Sequence, residues 1–107
     1  MKYVFDIDGT ICDKLNGDDY NKSFPYHIRI AKINQLYDEG EIIVYYTARG
    51  MGRNHDNPDL AINQFYKLTE NQLKEWGAKY HQLILGKPSA DIYIDDKGMK
   101  DGEFFRD

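Results

Sequence analysis

The chain has 107 residues, 41% of them hydrophobic and 30% charged, with a formal net charge of −4 and a single cysteine. That length carries one core without staples, and a lone Cys12 excludes an internal disulfide framework and gives no sign of a zinc site. The acidic balance argues against non-specific nucleic-acid binding, and the short N-terminal apolar run, broken by aspartates, fits neither a signal peptide nor a membrane span.

No repeat, linker or low-complexity tract divides the chain, so a single domain over residues 1–107, without a membrane partner and in the cytoplasm, is the expectation. Its first apolar run, Lys2 to Ile7, reads as a strand buried on both faces and passes into Asp6-Ile7-Asp8-Gly9-Thr10. Strand alternation sends Asp6 and Asp8 to one side and Ile7 to the other, while Gly9 permits a sharp turn. Two carboxylates this close, with no cation nearby in sequence, call for a metal, for phosphate chemistry, or for both. The gap Ile11 to Phe24 has room only for a hairpin-like flap, in which Cys12 reads as a small packing residue.

A helix is predicted from Tyr26 to about Glu39, with Pro25 at its start, Gly40 as its stop and an apolar stripe of Ile28, Ala31, Ile33, Leu36 and Tyr37. Next comes a strand over Glu41–Thr47 (EIIVYYT), leading into Ala48 and Arg49. Arg49 has two readings, a bidentate clamp on a substrate phosphate or carboxylate and a salt bridge capping the sheet. The loop Gly50–Asn57 (GMGRNHDN) offers Arg53 and His55 as candidate substrate contacts, although an exposed histidine is more commonly polar surface. A second helix follows Asn57 as N-cap, from Pro58 to Trp76, and its stripe of Ile62, Phe65, Tyr66, Thr69, Leu73 and Trp76 reads as core. Strands are then expected over Gln82–Leu85, running into Gly86-Lys87, and over Asp91–Ile94, ending in Asp95-Asp96. Whether Glu103–Phe105 adds a fifth, edge strand is left open by the sequence.

Strands alternating with helices indicate an α/β fold with a mainly parallel sheet, in which ligands bind beyond the carboxyl ends of the strands. Each predicted strand delivers polar or charged side chains at that same end. This coincidence is the main sign of a site.

The four segments FDIDGT, VYYTARG, LGKPSAD and IYIDD, in that order and each at a strand end, resemble the haloacid dehalogenase-like (HAD) phosphohydrolases. The similarity spans Lys2 to Asp96. More narrowly, TARG, GKPSADIYIDDKG and the short length look like the small phosphatases found with capsular polysaccharide biosynthesis. The resemblance implies a Rossmann-like three-layer sandwich, here without a cap domain. Asp6 would be the nucleophile that forms an aspartyl-phosphate, and Asp8 the general acid and then base. Thr47, with the backbone N–H of Ala48, would bind a phosphoryl oxygen, and Lys87 would neutralise phosphate and nucleophile. Metal ligands would come from Asp6, the Asp8 carbonyl and the acidic pair, where alignment to the family's Gly-Asp favours Asp96 and puts Asp95 beside it. Hard oxygen donors of this kind suit Mg²⁺.

The leading expectation is therefore a Mg²⁺-dependent phosphatase of a small phosphorylated substrate, such as a sugar phosphate, with a homo-oligomer plausible over an open site. A nucleotide or polynucleotide 3′-phosphatase is the nearest alternative, disfavoured for polymers by the absence of a basic stripe. A receiver-type phosphoacceptor domain uses similar residues in a different strand order. A DxD nucleotide-sugar transferase would leave Thr47 and Lys87 unexplained.

Overall fold

The computed structural model describes residues 1–14 and 19–107. Strands β1 (Lys2–Phe5), β2 (Ile42–Thr47) and β3 (Gln82–Leu85) form a parallel sheet in the order β1-β2-β3. Register sets Phe5 beside Tyr45, Tyr45 beside Leu83, and Thr47 beside Leu85. The connections are α1 (His27–Asp38) and α2 (Pro58–Glu75), and crossovers of the usual right-handed sense between neighbouring strands would bring both helices to one sheet face. There Phe5, Ile43, Tyr45, Leu83 and Leu85 join Ile30 and Ile33 of α1 and Phe65 and Leu73 of α2 in one buried cluster. The fold fits the Rossmann-like three-layer α/β class without a cap. Its opposite face is thinly covered, with Val4 58% exposed and Val44 buried beside it.

Local chemistry accounts for the helix limits. The Asn57 side chain accepts from the N–H groups of Asp59 and Leu60, and Pro58 occupies the first turn, as the sequence predicts. Phe65, Thr69 and Leu73 face inward as expected, whereas Ile62 is exposed and Ala61 takes the inward place. In α1 the stripe is shifted: Ile30 and Ile33 are buried while Ile28 and Ala31 are exposed. Arg29 explains the phase. Its guanidinium lies 4.7 Å from the Phe105 ring centre and pairs with Asp101 and Asp107, which draws that side of the helix toward the C-terminal segment.

One expectation near the C-terminus is corrected and one open question is answered. Asp91–Ile94 is not a strand, and Ile92 and Ile94 are 74% and 90% exposed. Local bonds hold this stretch in turns: the Tyr93 hydroxyl donates to the Pro88 carbonyl, and Asp95 Oδ1 accepts from the N–H groups of Lys97 and Gly98. Beyond it, α3 (Asp101–Phe105) is a short helix and not an edge strand, with Phe104 and Phe105 packed edge-on or stacked against Phe5. The base of the expected flap is hairpin-like. Asp13 N–H donates to Phe24 O at 3.1 Å, Tyr26 N–H donates to Ile11 O at 2.8 Å, and Cys12 bridges Pro25 in antiparallel sense. Residues 15–18 of the flap lie outside the described residues.

Candidate active site

Three strand ends converge here. Just past β1, Gly9 adopts a φ of 81°, and the backbone doubles back with Gly9 N–H on Cys12 O and Ile11 N–H on Ile7 O. This turn presents Asp6 and Asp8, and each has its own cation. Lys87, which follows β3, brings Nζ to 3.9 Å from Asp6 Oδ1. Arg49, which follows β2, donates from Nε to Asp8 Oδ2 at 3.0 Å and from Nη2 to Asp8 Oδ1 at 2.9 Å. Burial pushes the Asp6 carboxyl above the usual carboxylate range, against the opposing pull of Lys87 and of the Ile7 N–H, while the Asp8 charge adds to the rise.

Thr47 closes the arrangement. It is 1% exposed, its Oγ1 accepts the Arg49 N–H at 3.1 Å, and its carbonyl accepts the Lys87 N–H at 3.2 Å. A hydroxyl that accepts one bond still has its proton to donate, so Thr47 can serve an anionic oxygen placed at the end of β2. Ala48 follows directly, half-buried. The Lys87 ammonium also lies 4.3 Å from the Tyr93 ring centre and 5.9 Å from that of Tyr46, which fixes a flexible side chain over the site.

The two readings of Arg49 are resolved, and the acidic pair lies on an exposed segment. Arg49 offers no fork to a substrate. It is 1% exposed, and Nε, Nη1 and Nη2 all donate within the protein, so the salt-bridge reading of the sequence is the one realised. Asp95 and Asp96 are exposed on the segment that did not form a strand, and Asp96 pairs with Lys97 at 3.2 Å. Among the described residues no group of three or more His, Cys, Asp and Glu side chains converges as a metal site. The donors that remain at the turn, the Asp6 carboxylate and the Asp8 carbonyl, are hard oxygens. They fit the sparse mode in which Mg²⁺ takes one or two carboxylates and completes its shell with water and phosphate.

Around this centre, Arg53 places its guanidinium 4.8 Å from the Phe65 ring centre. His55 and Asp56 both have positive φ, and Asp56 Oδ1 accepts from Ser89 Oγ at 2.8 Å, tying the Gly50–Asn57 loop to the chain just after Lys87. The Cys12 thiol is buried and pushed up to about 12, chiefly by burial and by the Asp8 charge, so it is an inert packing group. Sequence reasoning missed Gln72 as a partner of Arg49 and Tyr93 as a neighbour of Lys87. For Gln72 a signal exists: Thr69 and Gln72 form a polar pair inside the apolar stripe of α2, where a buried cation would need acceptors. Tyr93 had none, because its position depends on an irregular segment.

A crystal structure of a structural-genomics (MCSG) target from Vibrio cholerae is similar to this chain, with a TM-score of 0.87 and 29% identity over 97% of this chain and 86% of that one. No family model and no curated protein matches the chain. The similarity supports the fold described above. No helix among the described residues is long and apolar enough to cross a membrane.

Proposed function

We propose that this chain is a HAD-type, Mg²⁺-dependent phosphatase that hydrolyses a small phosphomonoester through an aspartyl-phosphate on Asp6. The observation that carries the reading is the convergence of Asp6, Thr47 and Lys87 at the ends of three adjacent parallel strands, with Lys87 Nζ 3.9 Å from Asp6 Oδ1. An anionic nucleophile attacking an anionic ester needs local positive charge, and Lys87 supplies it to both partners. Thr47 and the N–H of Ala48 orient the phosphoryl oxygens. Asp8 gives a proton to the departing alcohol and takes one from the water that cleaves the acyl-phosphate. Mg²⁺, held by Asp6 and the Asp8 carbonyl, would supply charge neutralisation and orientation of the phosphate.

The finer reading is a sugar phosphate of polysaccharide synthesis, motivated by the TARG and GKPSADIYIDDKG segments and by a site that no cap domain encloses. The test is phosphate release from a panel of sugar phosphates, nucleotides and phosphorylated small alcohols. Expected is turnover that chelation abolishes, that Mg²⁺ restores, and that Ca²⁺ supports poorly, because longer Ca²⁺ bonds misplace nucleophile and phosphorus. Absence of release from every ester with Mg²⁺ present overturns the reading, and full activity in excess chelator overturns its metal dependence.

A further inference from the structure

We infer that Arg49 is a positioning residue for Asp8, holding the carboxylate that protonates the leaving alcohol in its working orientation; the inference rests on the phosphatase reading above. Both Asp8 oxygens accept from one guanidinium, at 2.9 and 3.0 Å, a fork-to-fork contact that fixes the plane and rotation of the carboxylate. Arg49 is itself immobilised from behind. Nη1 donates to Gln72 Oε1 at 2.6 Å and to Thr69 Oγ1 at 3.3 Å, the Tyr20 ring centre lies 4.7 Å from its guanidinium carbon, and Gln72 Nε2 donates to the Tyr20 carbonyl.

Burying a guanidinium is costly unless every donor is met, and α2 turns two polar residues inward to meet them. The outcome is a rigid path from α2 to the catalytic turn. Arg49 occupies one lone pair on each Asp8 oxygen, and a carboxylate has further acceptor directions. The Asp8 side chain is 22% exposed, so part of the carboxylate stays open on the side away from the buried guanidinium. A general acid must sit within about 3 Å of the atom it protonates, and a freely rotating Asp8 would spend much of its time elsewhere. The backbone of Arg49 is bonded to Thr47 Oγ1, so one turn after β2 sets both the phosphate-binding hydroxyl and the clamp on the acid.

Arg49→Lys tests the clamp, since it keeps the charge and loses the fork. Turnover would be measured on p-nitrophenyl phosphate, whose leaving group departs without a proton, and on glycerol phosphate, whose alkoxide needs one. Expected is a kcat/KM loss on glycerol phosphate about 10- to 100-fold greater than on p-nitrophenyl phosphate, a share of the general-acid contribution, because kcat/KM ends at leaving-group release and excludes the hydrolysis step common to both substrates. Unfolding midpoints of Asp8→Asn, Arg49→Lys and the double variant should be non-additive, because the two side chains form one unit. Equal loss on both substrates in a folded variant, or additive midpoints, overturns the inference and leaves the phosphatase reading standing. A wild-type protein that releases phosphate from neither ester nor from any other member of the panel overturns both. Should Arg49→Lys fail to fold, Gln72→Leu loosens the same arginine from behind, and a leaving-group-selective loss supports the clamp while a uniform one refutes it.

Discussion

Lys87 reaches Asp6 across the full width of the sheet. The two residues follow β3 and β1, with the end of β2 between them, yet Nζ lies 3.9 Å from Oδ1. Strands are about 4.8 Å apart, so the side chain must extend over Thr47 to span two of them. The Lys87 backbone N–H on Thr47 O fixes its root, and the Tyr46 and Tyr93 rings flank its tip. A ligand seated at the end of β2 is thereby bracketed by the Asp6 carboxylate, the Thr47 hydroxyl and the Lys87 ammonium. Lys87→Met should lower kcat/KM by roughly 10²–10³-fold, the loss typical of one preorganised charge-stabilising group, with the far-UV circular dichroism unchanged. A loss below tenfold would remove Lys87 from the chemistry.

Asp6→Asn should separate activity from stability. Phosphate release should fall by orders of magnitude, since the amide does not attack phosphorus. Because the folded pKa of Asp6 is raised above the unfolded 3.8, its ionisation costs stability; the cost is absent at low pH and appears as pH rises past 3.8. In chelator at neutral pH the variant should therefore unfold at a midpoint equal to or above wild type. A clear fall in midpoint would show that burial does not strain this carboxyl.

Most of the scaffold was legible because its signals are local. Asn57-Pro58 and the apolar run EIIVYYT specify α2 and β2 from within a few residues, and the strand-end rule then located Asp6, Thr47 and Lys87 together. What was not legible depends on competition between distant segments. IYI carries strand propensity, but strand formation needs a partner edge, and here the bonds of Tyr93 to Pro88 and of Asp95 to Lys97 win locally. Arg49 could be read either way because its role depends on Gln72, which is 23 positions distant.

The C-terminal helix should be an acid-sensitive attachment. Arg29 holds the Asp101 carboxyl below its usual 3.8, so the ion pair stabilises the fold above that pH, and the stabilisation is lost as pH falls through the lowered folded value. Asp101→Asn should be less stable than wild type at pH 7, and the gap in unfolding midpoint should close on acidification. A gap that is constant with pH would assign the effect to packing of Phe104 and Phe105 instead.

Gly50, between Arg49 and the Arg53 loop, has a φ of 78°, and a Cβ there would lie 2.5 Å from a Phe65 ring carbon. Gly50→Ala should destabilise by about 1–3 kcal/mol through overpacking, with further backbone strain, as read by urea unfolding. Phe65→Leu in the same chain should recover part of that loss, because it removes the ring the new methyl meets. A neutral Gly50→Ala would mean that the loop shifts freely, and the placement of Arg49 would not depend on it.

Titration with Mg²⁺ should distinguish Asp95 from Asp96. The Asp95 carboxylate is committed to its own turn, accepting from the N–H groups of Lys97 and Gly98, which also holds its pKa below the usual range. Asn retains an Oδ1 acceptor, so Asp95→Asn should keep this turn and leave Mg²⁺ dependence nearly unchanged. Among the described residues Asp96 pairs with exposed Lys97 alone, a contact of a kind that contributes little. It also lies three residues beyond Tyr93, whose ring already packs over Lys87. Three residues of extended chain span about 10 Å, so the carboxylate is tethered within reach of the site even though it is exposed here. Asp96→Asn should accordingly raise the Mg²⁺ concentration for half-maximal turnover by about tenfold, with kcat at saturating Mg²⁺ less affected, as found when an outlying carboxylate is removed from a metal's surroundings. If Asp95→Asn shifts the Mg²⁺ requirement and Asp96→Asn does not, the turn opens when the metal binds and the roles are reversed. If neither does, the metal is held by Asp6 and the Asp8 turn without help from the acidic pair.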